Sequence, residues 1–334
     1  MAQRALVTGG AGFIGSHVAD LLVAHGYAVT VIDNLASGRR ENLNPAATFV
    51  EASITSPEAA ALVRDGGFDV ICHLAAQIDV RKSVTDPGYD ATQNVVGSLN
   101  LLEAARQAQL ATGKSARFVF SSTGGALYGD FVTPPNVETY AKDPESPYGI
   151  AKLSVEYYMA YYARQHGMTC VALRYGNVYG PRQDPHGEAG VVAIFCDRIL
   201  TGRPMTTFGD GEQTRDYVFV KDVARANYLA ATVELPPVGP LDARAFNIGT
   251  GVETSVNTLA AHLNDAAVAP VPVERAPARA GELQRSALVV DKAAAGLGWR
   301  PQVTLAEGLA ETYRFFAERR AREAAPAGAV PQPA

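Results

Sequence analysis

The stretch Thr8-Gly-Gly-Ala-Gly-Phe-Ile-Gly15 decides the fold of this chain, together with the residues on either side of it. Before it, Ala5–Val7 has the apolar character of a short buried strand. After it, Ser16–His25 has the pattern of a helix, and Ala28–Ile32 that of a second strand, which ends at Asp33. This order of apolar runs around a glycine-rich turn predicts a βαβ unit.

Three glycines of the turn, Gly10, Gly12 and Gly15, fit the pattern G-x-G-x-x-G. In that pattern the glycines permit a tight turn, a close approach of backbone to a pyrophosphate, and tight packing of the helix on the strand. The amides at the start of the helix then bind the phosphates. The turn therefore predicts a dinucleotide site.

Asp33 indicates which dinucleotide binds, because it stands 18 residues after Gly15 at the end of the second strand. A carboxylate there can hold both adenosine ribose hydroxyls of NAD, whereas it would repel the 2′-phosphate of NADP. Arg39 and Arg40 are of the type that accepts such a phosphate, but they lie six and seven residues further on in a loop. We expect NAD.

Strands and helices continue to alternate after this unit, which predicts an α/β fold with a Rossmann-like, doubly wound parallel sheet. The predicted elements are Thr48–Glu51, Pro57–Arg64, Asp69–Leu74, Val95–Gln107, Arg117–Ser121, Val155–Gln165 and Thr169–Leu173. We expect a NAD-binding domain over residues 1–175, to which segments near 215–250 return. Prolines interrupt residues 176–318, which predicts a smaller, mixed α/β substrate domain. The tail, 321–334, has too little apolar surface to pack and is expected to be disordered.

The composition excludes several classes of partner. The 334 residues are 47% hydrophobic and carry a net charge of −5, with a pI near 5.7, so nothing favours nucleic acid or a membrane surface. The start of the chain has no basic and apolar leader, and no apolar run is long enough to span a bilayer, so we expect a cytoplasmic protein. Cys72, Cys170 and Cys196 form no CxxC and have no histidine cluster near them, so no metal site is expected.

Tyr148 and Lys152 are the strongest candidates for catalysis in the sequence. They are four residues apart just after Pro147, which suits a first helical turn, so the phenol and the ammonium should share one helix face. A fixed lysine charge can lower the pKa of a tyrosine and make it a better base. The alternative is a common surface pair. An apolar face at helical spacing continues over Leu153, Tyr157, Tyr158 and Tyr161.

Residues 4 to about 318 resemble the extended short-chain dehydrogenase/reductase family, and within it the nucleotide-sugar epimerases. The motifs that carry the resemblance are Thr8–Gly15, Asp33-Asn34, His73-Leu-Ala-Ala76, Asn94, Ser121-Ser-Thr-Gly-Gly-Ala-Leu-Tyr-Gly129, Tyr148 with Lys152, Arg174-Tyr-Gly-Asn177, Val178-Tyr-Gly-Pro181 and Arg215-Asp-Tyr217. They are specific for the family and much less specific for the substrate.

The resemblance implies two sets of binding residues. Those expected to hold NAD are Gly9, Gly12, Phe13, Ile14, Gly15, Asp33, Asn34, Ser37, Gly38, Ser53, Ile54, Leu74, Ala75, Ala76, Gln77, Asn94, Ser121, Ser122, Tyr148 and Lys152. Those expected to hold the substrate are Thr123, Asn177, Gly190, Val191, Thr206, Phe208, Arg215, Arg279, Glu282 and Ser286. At Ser53 the sequence departs from the family, which usually has Asp there.

The resemblance also implies a reaction, the 4-epimerisation of a UDP-sugar through a transient 4-keto sugar. Tyr148 would exchange the O4 proton, and Thr123 would hydrogen-bond O4. The motif is one residue longer than usual, which leaves Ser122 as the alternative. Relatives that dehydrate or decarboxylate the sugar carry Asp or Glu directly after this position, where this chain has Gly124 and Gly125. We therefore expect epimerisation, most simply of UDP-glucose and UDP-galactose.

Three further expectations concern the sugar, the assembly and the class of protein. Ser286 should leave space for an N-acetyl group, whereas a slip in register would place Arg285 or Ala287 there, and arginine would suit an anionic sugar such as UDP-glucuronate. Family habit suggests a homodimer through the helices Val95–Gln107 and Val155–Gln165, whose apolar faces could equally pack inward. From another class, the chain could be a non-catalytic NAD-binding regulatory protein.

Overall fold

A computed structural model of the chain describes residues 2–186, 190–278 and 283–324. The strands are β1 (Arg4–Thr8), β2 (Ala28–Asp33), β3 (Thr48–Glu51), β4 (Val70–His73), β5 (Arg117–Thr123), β6 (Thr169–Tyr175), β7 (Asn177–Tyr179), β8 (Met205–Phe208), β9 (Thr214–Arg215), β10 (Tyr217–Phe219), β11 (Ala245–Ile248), β12 (Thr254–Ser255) and β13 (Val273–Ala276). The helices are α1 (Phe13–Ala24), α2 (Pro57–Asp65), α3 (Val80–Thr85), α4 (Pro87–Ala91), α5 (Gly97–Thr112), α6 (Pro147–His166), α7 (Val191–Leu200), α8 (Val220–Thr232), α9 (Val256–Ala266), α10 (Asp291–Leu297) and α11 (Leu305–Ala324).

Seven of the strands in the described residues form one sheet, in the order β11-β6-β5-β4-β1-β2-β3, and every neighbouring pair is parallel. The chain runs outward from β1 through β2 to β3, returns to β4 on the other side of β1, and continues outward to β6. The predicted doubly wound sheet is confirmed. Its strand order reverses between β1 and β4, and the crevice beyond the carboxyl ends of these strands is where such sheets bind ligands.

The two faces of the sheet bury separate cores because side chains alternate along each strand. Val7 and Val119 point to the face covered by α1 and α8, whereas Leu6 and Phe118 point to the face covered by α2, α5 and α6. All four side chains are fully buried. The sheet is thus a rigid platform whose carboxyl edge can hold loops in fixed positions.

The second part of the chain forms three small two-stranded sheets, β7 with β10, β8 with β13, and β9 with β12. A third core lies beneath them and is formed mainly by α7, α9 and α11; among its buried members are Phe195, Leu259 and Leu309. β11, from the same part of the chain, is an edge strand of the main sheet.

Helix boundaries differ from the predicted ones where a cap or a local irregularity decides them. α1 begins at Phe13 rather than Ser16, because Gly12 is its N-cap. α6 begins at Pro147, since the Ser146 hydroxyl caps it by accepting from the Gly149 amide at 3.2 Å. A π-helical turn, Thr92–Val96, precedes α5, and π turns are frequent at functional sites.

The structure decides one alternative about surfaces and corrects one prediction. Of the two arrangements left open for the apolar face of α6, inward packing does not apply to Tyr157, Tyr158 and Tyr161, which are 58%, 42% and 49% exposed, while Val155 and Met159 face the core. Of the tail predicted to be disordered, residues 321–324 form the last turn of α11, and the rest lie outside the described residues. None of the helices in the described part of the chain has the length and apolar composition needed to cross a bilayer.

Candidate active site

The glycine-rich turn after β1 is held tightly against the loop after β4. Gly9 has a φ of +71°, and a Cβ there would lie 2.7 Å from the Ala75 amide nitrogen. A Cβ at Gly15 would lie 2.1 Å from the Gly9 carbonyl oxygen, so only glycine lets α1 approach the turn this closely. The N-cap Gly12 gives no side-chain hydrogen bond, which leaves the first amides of α1 as donors for an anionic ligand.

Asp33 lies beside this turn with its carboxylate fixed in place. It is 7% exposed, and its two oxygens accept from the Ala11 amide at 3.0 Å and the Leu35 amide at 2.8 Å. Burial raises the pKa of Asp33, and the two amide hydrogen bonds oppose that shift. A Cβ at Gly38 would lie 2.7 Å from the carboxylate, so glycine is needed there. This arrangement fits the ribose of NAD.

The two arginines that could have accepted a 2′-phosphate are engaged with carboxylates. Arg39 forms ion pairs with Glu41 at 3.7 Å and Asp184 at 3.5 Å. Arg40 forms an ion pair with Glu51, and its guanidinium lies 5.1 Å from the centre of the Phe49 ring. The charges near Asp33 therefore favour NAD over NADP.

A buried hydrogen-bonded chain supports the loop after β4. The Thr8 hydroxyl accepts from the amides of Leu74 and Ala75, both at 3.1 Å, and contacts His73 Nδ1 at 2.7 Å. His73 Nε2 contacts the Ser98 hydroxyl at 2.8 Å, and Ser98 donates to the Asn94 carbonyl at 2.6 Å. Burial lowers the pKa of His73 to about 3, so the ring is neutral.

Gln77 and Asn94 are joined to each other by two hydrogen bonds. The Gln77 amide donates to Asn94 Oδ1 at 2.8 Å, and Asn94 Nδ2 donates to the Gln77 carbonyl at 2.9 Å. Both side chains also donate to Asp90 Oδ1, at 2.9 Å and 3.0 Å. Asp90 is 1% exposed and was not anticipated from the sequence. Its place four residues before Asn94, on one helix face, was the available signal.

The remaining residues expected at the adenosine end make mainly local contacts. Asn34 Oδ1 accepts from the Ala36 amide at 3.1 Å, and Ser37 is exposed. The Ser53 hydroxyl contacts the Thr55 hydroxyl at 2.8 Å, so the departure from the family's Asp is accommodated by a local turn. Ile54 is 6% exposed and packs in the core, where its side chain lies close against Gly97. Their contacts with the cofactor stay a prediction.

Tyr148 and Lys152 share one face of α6, as the spacing predicts. The Lys152 ammonium is buried, donates to the Ser121 carbonyl at 2.8 Å, and lies 5.7 Å from the centre of the Tyr148 ring. The Tyr148 amide donates to the Ser83 hydroxyl at 3.4 Å. The pair therefore lies against the end of β5, at the carboxyl edge of the sheet, where Ser121 and Thr123 also lie.

The pKa of Tyr148 shifts in the opposite direction from the one expected. Burial raises it, and the negative charge of Asp90 raises it further. Burial lowers the pKa of Lys152 to about 8, against the effect of the Asp90 and Glu156 carboxylates, which raise it. The side chains of this site thus disfavour the phenolate, because burial and the Asp90 charge both act against it.

Ser122 and Thr123 point to opposite faces of β5. The Ser122 hydroxyl donates to Glu156 at 2.5 Å and is 3% exposed, whereas Thr123 is half-buried. Glu156 accepts from Arg174, and this guanidinium is fully buried. The Ser122 hydroxyl is thus engaged by Glu156, which favours Thr123 over Ser122 as the residue that hydrogen-bonds O4; the contact with O4 stays a prediction. Glu156 lies four residues beyond Lys152, so Tyr148, Lys152 and Glu156 share one face of α6.

The two glycines after Thr123 differ in the space around them. A Cβ at Gly124 would lie 2.5 Å from Leu288 Cδ1, whereas at Gly125 the nearest atoms are Asn177 Oδ1 at 3.7 Å and Thr123 Oγ1 at 4.0 Å. Position 124 is closed by Leu288, and position 125 opens toward Thr123 and Asn177. At Gly125, Thr123 from the edge of the main sheet therefore meets Asn177 from the second part of the chain.

The other residues expected to bind substrate come from separate elements. Asn177 begins β7, and its amide donates to the Asp216 carbonyl at 2.7 Å. Arg215 ends β9 and donates to the Thr214 carbonyl at 2.9 Å. Thr206 and Phe208 share one side of β8, and Gly190 and Val191 begin α7. Arg279 and Glu282 lie outside the described residues.

The segment containing Ser286 is less open than the sequence suggested. Ser286 is 4% exposed, and its amide donates to the Thr214 carbonyl at 3.2 Å. Arg285 points outward and is paired with Glu253, with Nε–Oε2 at 2.9 Å and Nη2–Oε1 at 2.5 Å. Ala287 is fully buried. Within the described residues no cluster of three or more His, Cys, Asp or Glu side chains is placed to hold a metal ion.

Comparison with known proteins agrees with this geometry. Residues 5–249 match the model of the NAD dependent epimerase/dehydratase family. The chain is 46% identical over 319 residues to a UDP-glucose 4-epimerase of Mycolicibacterium smegmatis, covering 94% of this chain and 98% of the relative. This chain therefore belongs to the NAD-dependent epimerase/dehydratase family, and the predicted family and NAD dependence are confirmed.

Two solved structures are similar over almost the whole chain. A UDP-glucose 4-epimerase from Thermotoga maritima, solved with UDP-glucose, is 47% identical with a TM-score of 0.89, covering 95% of this chain and 100% of that one. A UDP-glucose 4-epimerase from Thermus thermophilus, in complex with NAD, is 43% identical with a TM-score of 0.85, covering 94% of this chain and 99% of that one.

Proposed function

We propose that this protein is an NAD-dependent UDP-sugar 4-epimerase that interconverts UDP-glucose and UDP-galactose. The observation that carries the proposal is the meeting of three features at one sheet edge: the dinucleotide turn after β1, the Tyr148–Lys152 pair on α6, and Thr123 at the end of β5. A non-catalytic NAD-binding protein would have no need of a buried ammonium beside a tyrosine at this edge, since burying the charge is costly.

The residues of this edge divide the chemistry between them. Tyr148 takes the proton of O4 and later returns it on the other face of the sugar ring, and Thr123 hydrogen-bonds O4. Lys152 provides the positive charge beside the phenol and reaches the nicotinamide ribose. NAD, when bound, would supply the acceptor for the hydride from C4 of the sugar, and a positive charge that lowers the pKa of Tyr148. Asp33, Gln77 and the first amides of α1 would hold it.

Two observations support epimerisation rather than loss of water or carbon dioxide. Gly124 and Gly125 supply no carboxyl next to Thr123, and Leu288 closes position 124 against any larger side chain. The similarity to epimerases solved with UDP-glucose and with NAD supports the same assignment. Arg215 and Asn177 would hold the nucleotide part while the 4-keto sugar turns.

The contacts of the 283–288 segment bear on the choice of sugar. Arg285 is paired with Glu253, which argues against a carboxylated sugar such as UDP-glucuronate meeting it. Ser286 is small but already buried, so acceptance of UDP-N-acetylglucosamine depends on movement of its neighbours. We therefore propose UDP-glucose and UDP-galactose as the preferred substrates, ahead of UDP-N-acetylglucosamine and UDP-glucuronate.

We also propose a homodimer, and the cytoplasmic location stays a prediction. Exposed apolar side chains lie on α5 and α6 at helical spacing, namely Leu110, Ile150, Tyr157, Tyr158 and Tyr161. Covering such a stripe with the same helices of a second copy would remove it from water. Light scattering should give twice the mass of one chain.

The direct test of the proposed activity is incubation with UDP-galactose and separation of the products. We expect UDP-glucose of unchanged mass, formed without net consumption of NAD, and the same equilibrium mixture from either sugar. Parallel incubations with UDP-N-acetylglucosamine and UDP-glucuronate rank the alternatives. A product lighter by water or carbon dioxide, or no turnover of any of the four UDP-sugars with NAD bound, would contradict the proposal.

A further inference from the structure

Asp216 is a buried carboxylate between the two substrate-side strands β9 and β10. It is 1% exposed, and its oxygens accept four hydrogen bonds. Oδ1 accepts from the Thr250 amide at 2.6 Å and the Thr250 hydroxyl at 2.7 Å. Oδ2 accepts from the Gly251 amide at 3.0 Å and the Leu288 amide at 3.2 Å. These donors come from segments 34 to 72 residues away in the chain.

The chain leaves space for this carboxylate. A Cβ at Gly249 would lie 2.4 Å from Asp216 Oδ2, and one at Gly176 would lie 2.8 Å from the Asp216 carbonyl oxygen. Burial raises the pKa of Asp216, and the four hydrogen bonds oppose the shift. Within the described residues no ion pair compensates this carboxylate, so its charge is met by backbone and hydroxyl donors alone.

Three substrate-side segments are connected through this one residue. Its carbonyl fixes Asn177, and its neighbour in the chain is Arg215. Its carboxylate fixes Leu288, whose side chain lies over Gly124, next to Thr123. Removing the carboxylate would take a hydrogen-bond acceptor from the 250–251 turn and from Leu288 at once, although the backbone bonds between Ser286 and Thr214 and between Ala287 and Asn136 remain.

We propose that Asp216 is a positioning residue for the nucleotide sugar, which it does not contact itself: its carboxylate joins the 250–251 turn to Leu288, and its main chain holds Asn177 and continues into Arg215. This inference rests on the proposed function, since it takes these segments to bind a UDP-sugar. The four donors to the Asp216 carboxylate all come from outside the cofactor region, which is formed by the turn after β1 and the loop after β4. NAD binding should therefore be independent of Asp216.

The test compares Asp216→Asn with Asp222→Asn, a control at another buried carboxylate that accepts from backbone amides but is also paired with Arg225. Asp222 is 3% exposed and likewise accepts from backbone amides, those of Gln302 at 3.0 Å and Val303 at 3.0 Å, but it anchors the segment before α11. Calorimetry with UDP on the NAD-loaded protein, calorimetry with NAD, thermal unfolding and steady-state kinetics are measured for both variants.

We expect Asp216→Asn to bind UDP about 10- to 100-fold more weakly, because an amide replaces the acceptor that faces Gly251 and Leu288. NAD affinity should change by less than about twofold, and KM for UDP-galactose should rise more than kcat falls. Asp222→Asn should lower the Tm without changing UDP affinity. UDP affinity unchanged in Asp216→Asn, or NAD and UDP affinities falling together, would overturn the inference.

Thr250→Val provides the test if Asp216→Asn fails to fold. It removes one hydroxyl donor and keeps the amide donor, so UDP should bind roughly three- to tenfold more weakly with NAD affinity unchanged. Unchanged UDP affinity in this variant would overturn the inference. If the NAD-loaded wild type binds no UDP, the proposed function falls with it, whereas a wild type that binds UDP isolates the failure to Asp216.

Discussion

The region proposed to bind the cofactor and the region proposed to bind the substrate, called the cofactor region and the substrate region below, are assembled in different ways. The turn after β1, α1 and Asp33 lie within one stretch of about 30 residues, and the loop after β4 is placed by a neighbouring strand of the same sheet. The proposed substrate region combines β7, β9 and the 286–288 segment, which Asp216 connects, and a long-range bridge from Glu253 to Arg285 lies beside it.

This difference predicts which residues of each region should be most sensitive to mutation. A region built from one continuous stretch and one sheet depends on local backbone geometry, so its failures should stay local. A region built from remote segments depends on the few side chains that connect them. Tyr148 stands at the junction, and variants on either side of it should separate the two regions.

Tyr148→Phe should have the largest effect. Removing the hydroxyl that exchanges the O4 proton should lower kcat by about 10²- to 10⁴-fold, the usual range for a positioned proton-transfer group. Because neither region is assembled through this hydroxyl, NAD and UDP affinities by calorimetry should remain near those of the wild type. Tyr158→Phe, on the exposed side of the same helix, is the control and should keep full activity.

A Tyr148→Phe variant that keeps more than a tenth of the activity would place the base elsewhere. Loss of both ligands in that variant would instead show that the two regions are not independent.

Asp33→Asn should come next and should affect the cofactor region alone. The amide retains one acceptor but loses the charge, so NAD should bind about 10- to 100-fold more weakly, as expected for hydrogen bonds from the ribose to a carboxylate. Preference over NADP should shrink, since the like charge is gone. Titration of both cofactors and of UDP measures this. Equal NAD affinity before and after the change would refute the role of Asp33.

The same contrast explains what could be predicted from sequence. The βαβ unit, the sheet and Asp33 were predictable because the residues that position one another are close in the chain. Asp216 was missed because its donors come from segments 34 to 72 residues away, which only the fold brings to it. Asp90 was missed although its spacing from Asn94 was a signal, because its second donor, Gln77, lies in the loop after β4. Ser122 was left open against Thr123 because the motif is one residue longer than usual, whereas β5 continues to Thr123 and its alternation turns the two side chains to opposite faces, which favours Thr123.

Asp90→Asn should move the pH profile of kcat/KM. Removing a negative charge lowers the pKa of both Tyr148 and Lys152, on which Asp90 acts directly. Lys152 has a pKa of about 8, so its ammonium is present below that pH and lost above it. The charge of Glu156, which also acts on Lys152, is retained in the variant.

We therefore expect both limbs of the Asp90→Asn profile to lie at lower pH, with kcat/KM at pH 8.5 falling roughly three- to tenfold relative to pH 6.5, since one pKa unit corresponds to a factor of ten. Asp86→Asn, at the exposed N-cap of α4, is the matched control. A shift to higher pH, or equal profiles for both variants, would contradict the electrostatic role of Asp90.

The smallest effect is expected from two similar ion pairs, one beside the proposed substrate region and one within α5, outside both regions. Glu253 bridges to Arg285 across 32 residues, whereas Glu103 bridges to Arg106 within α5. Both are partly exposed, so Glu253→Gln and Glu103→Gln should each change the Tm by no more than about 2 °C. Only Glu253→Gln should raise KM for UDP-galactose, by about twofold, because only that bridge joins substrate-side segments.

The sign of the pH dependence follows from the pKa of Glu253. The hydrogen bond from Arg285 holds it below the usual value of 4.5, despite partial burial, so the folded state binds the proton more weakly than the unfolded chain. The stabilisation is present above pH 4.5 and is lost as the pH falls through the folded pKa. The Tm difference between wild type and Glu253→Gln should therefore vanish on acidification. A KM effect of tenfold or more would mean that this bridge, rather than Asp216, holds the substrate segments together.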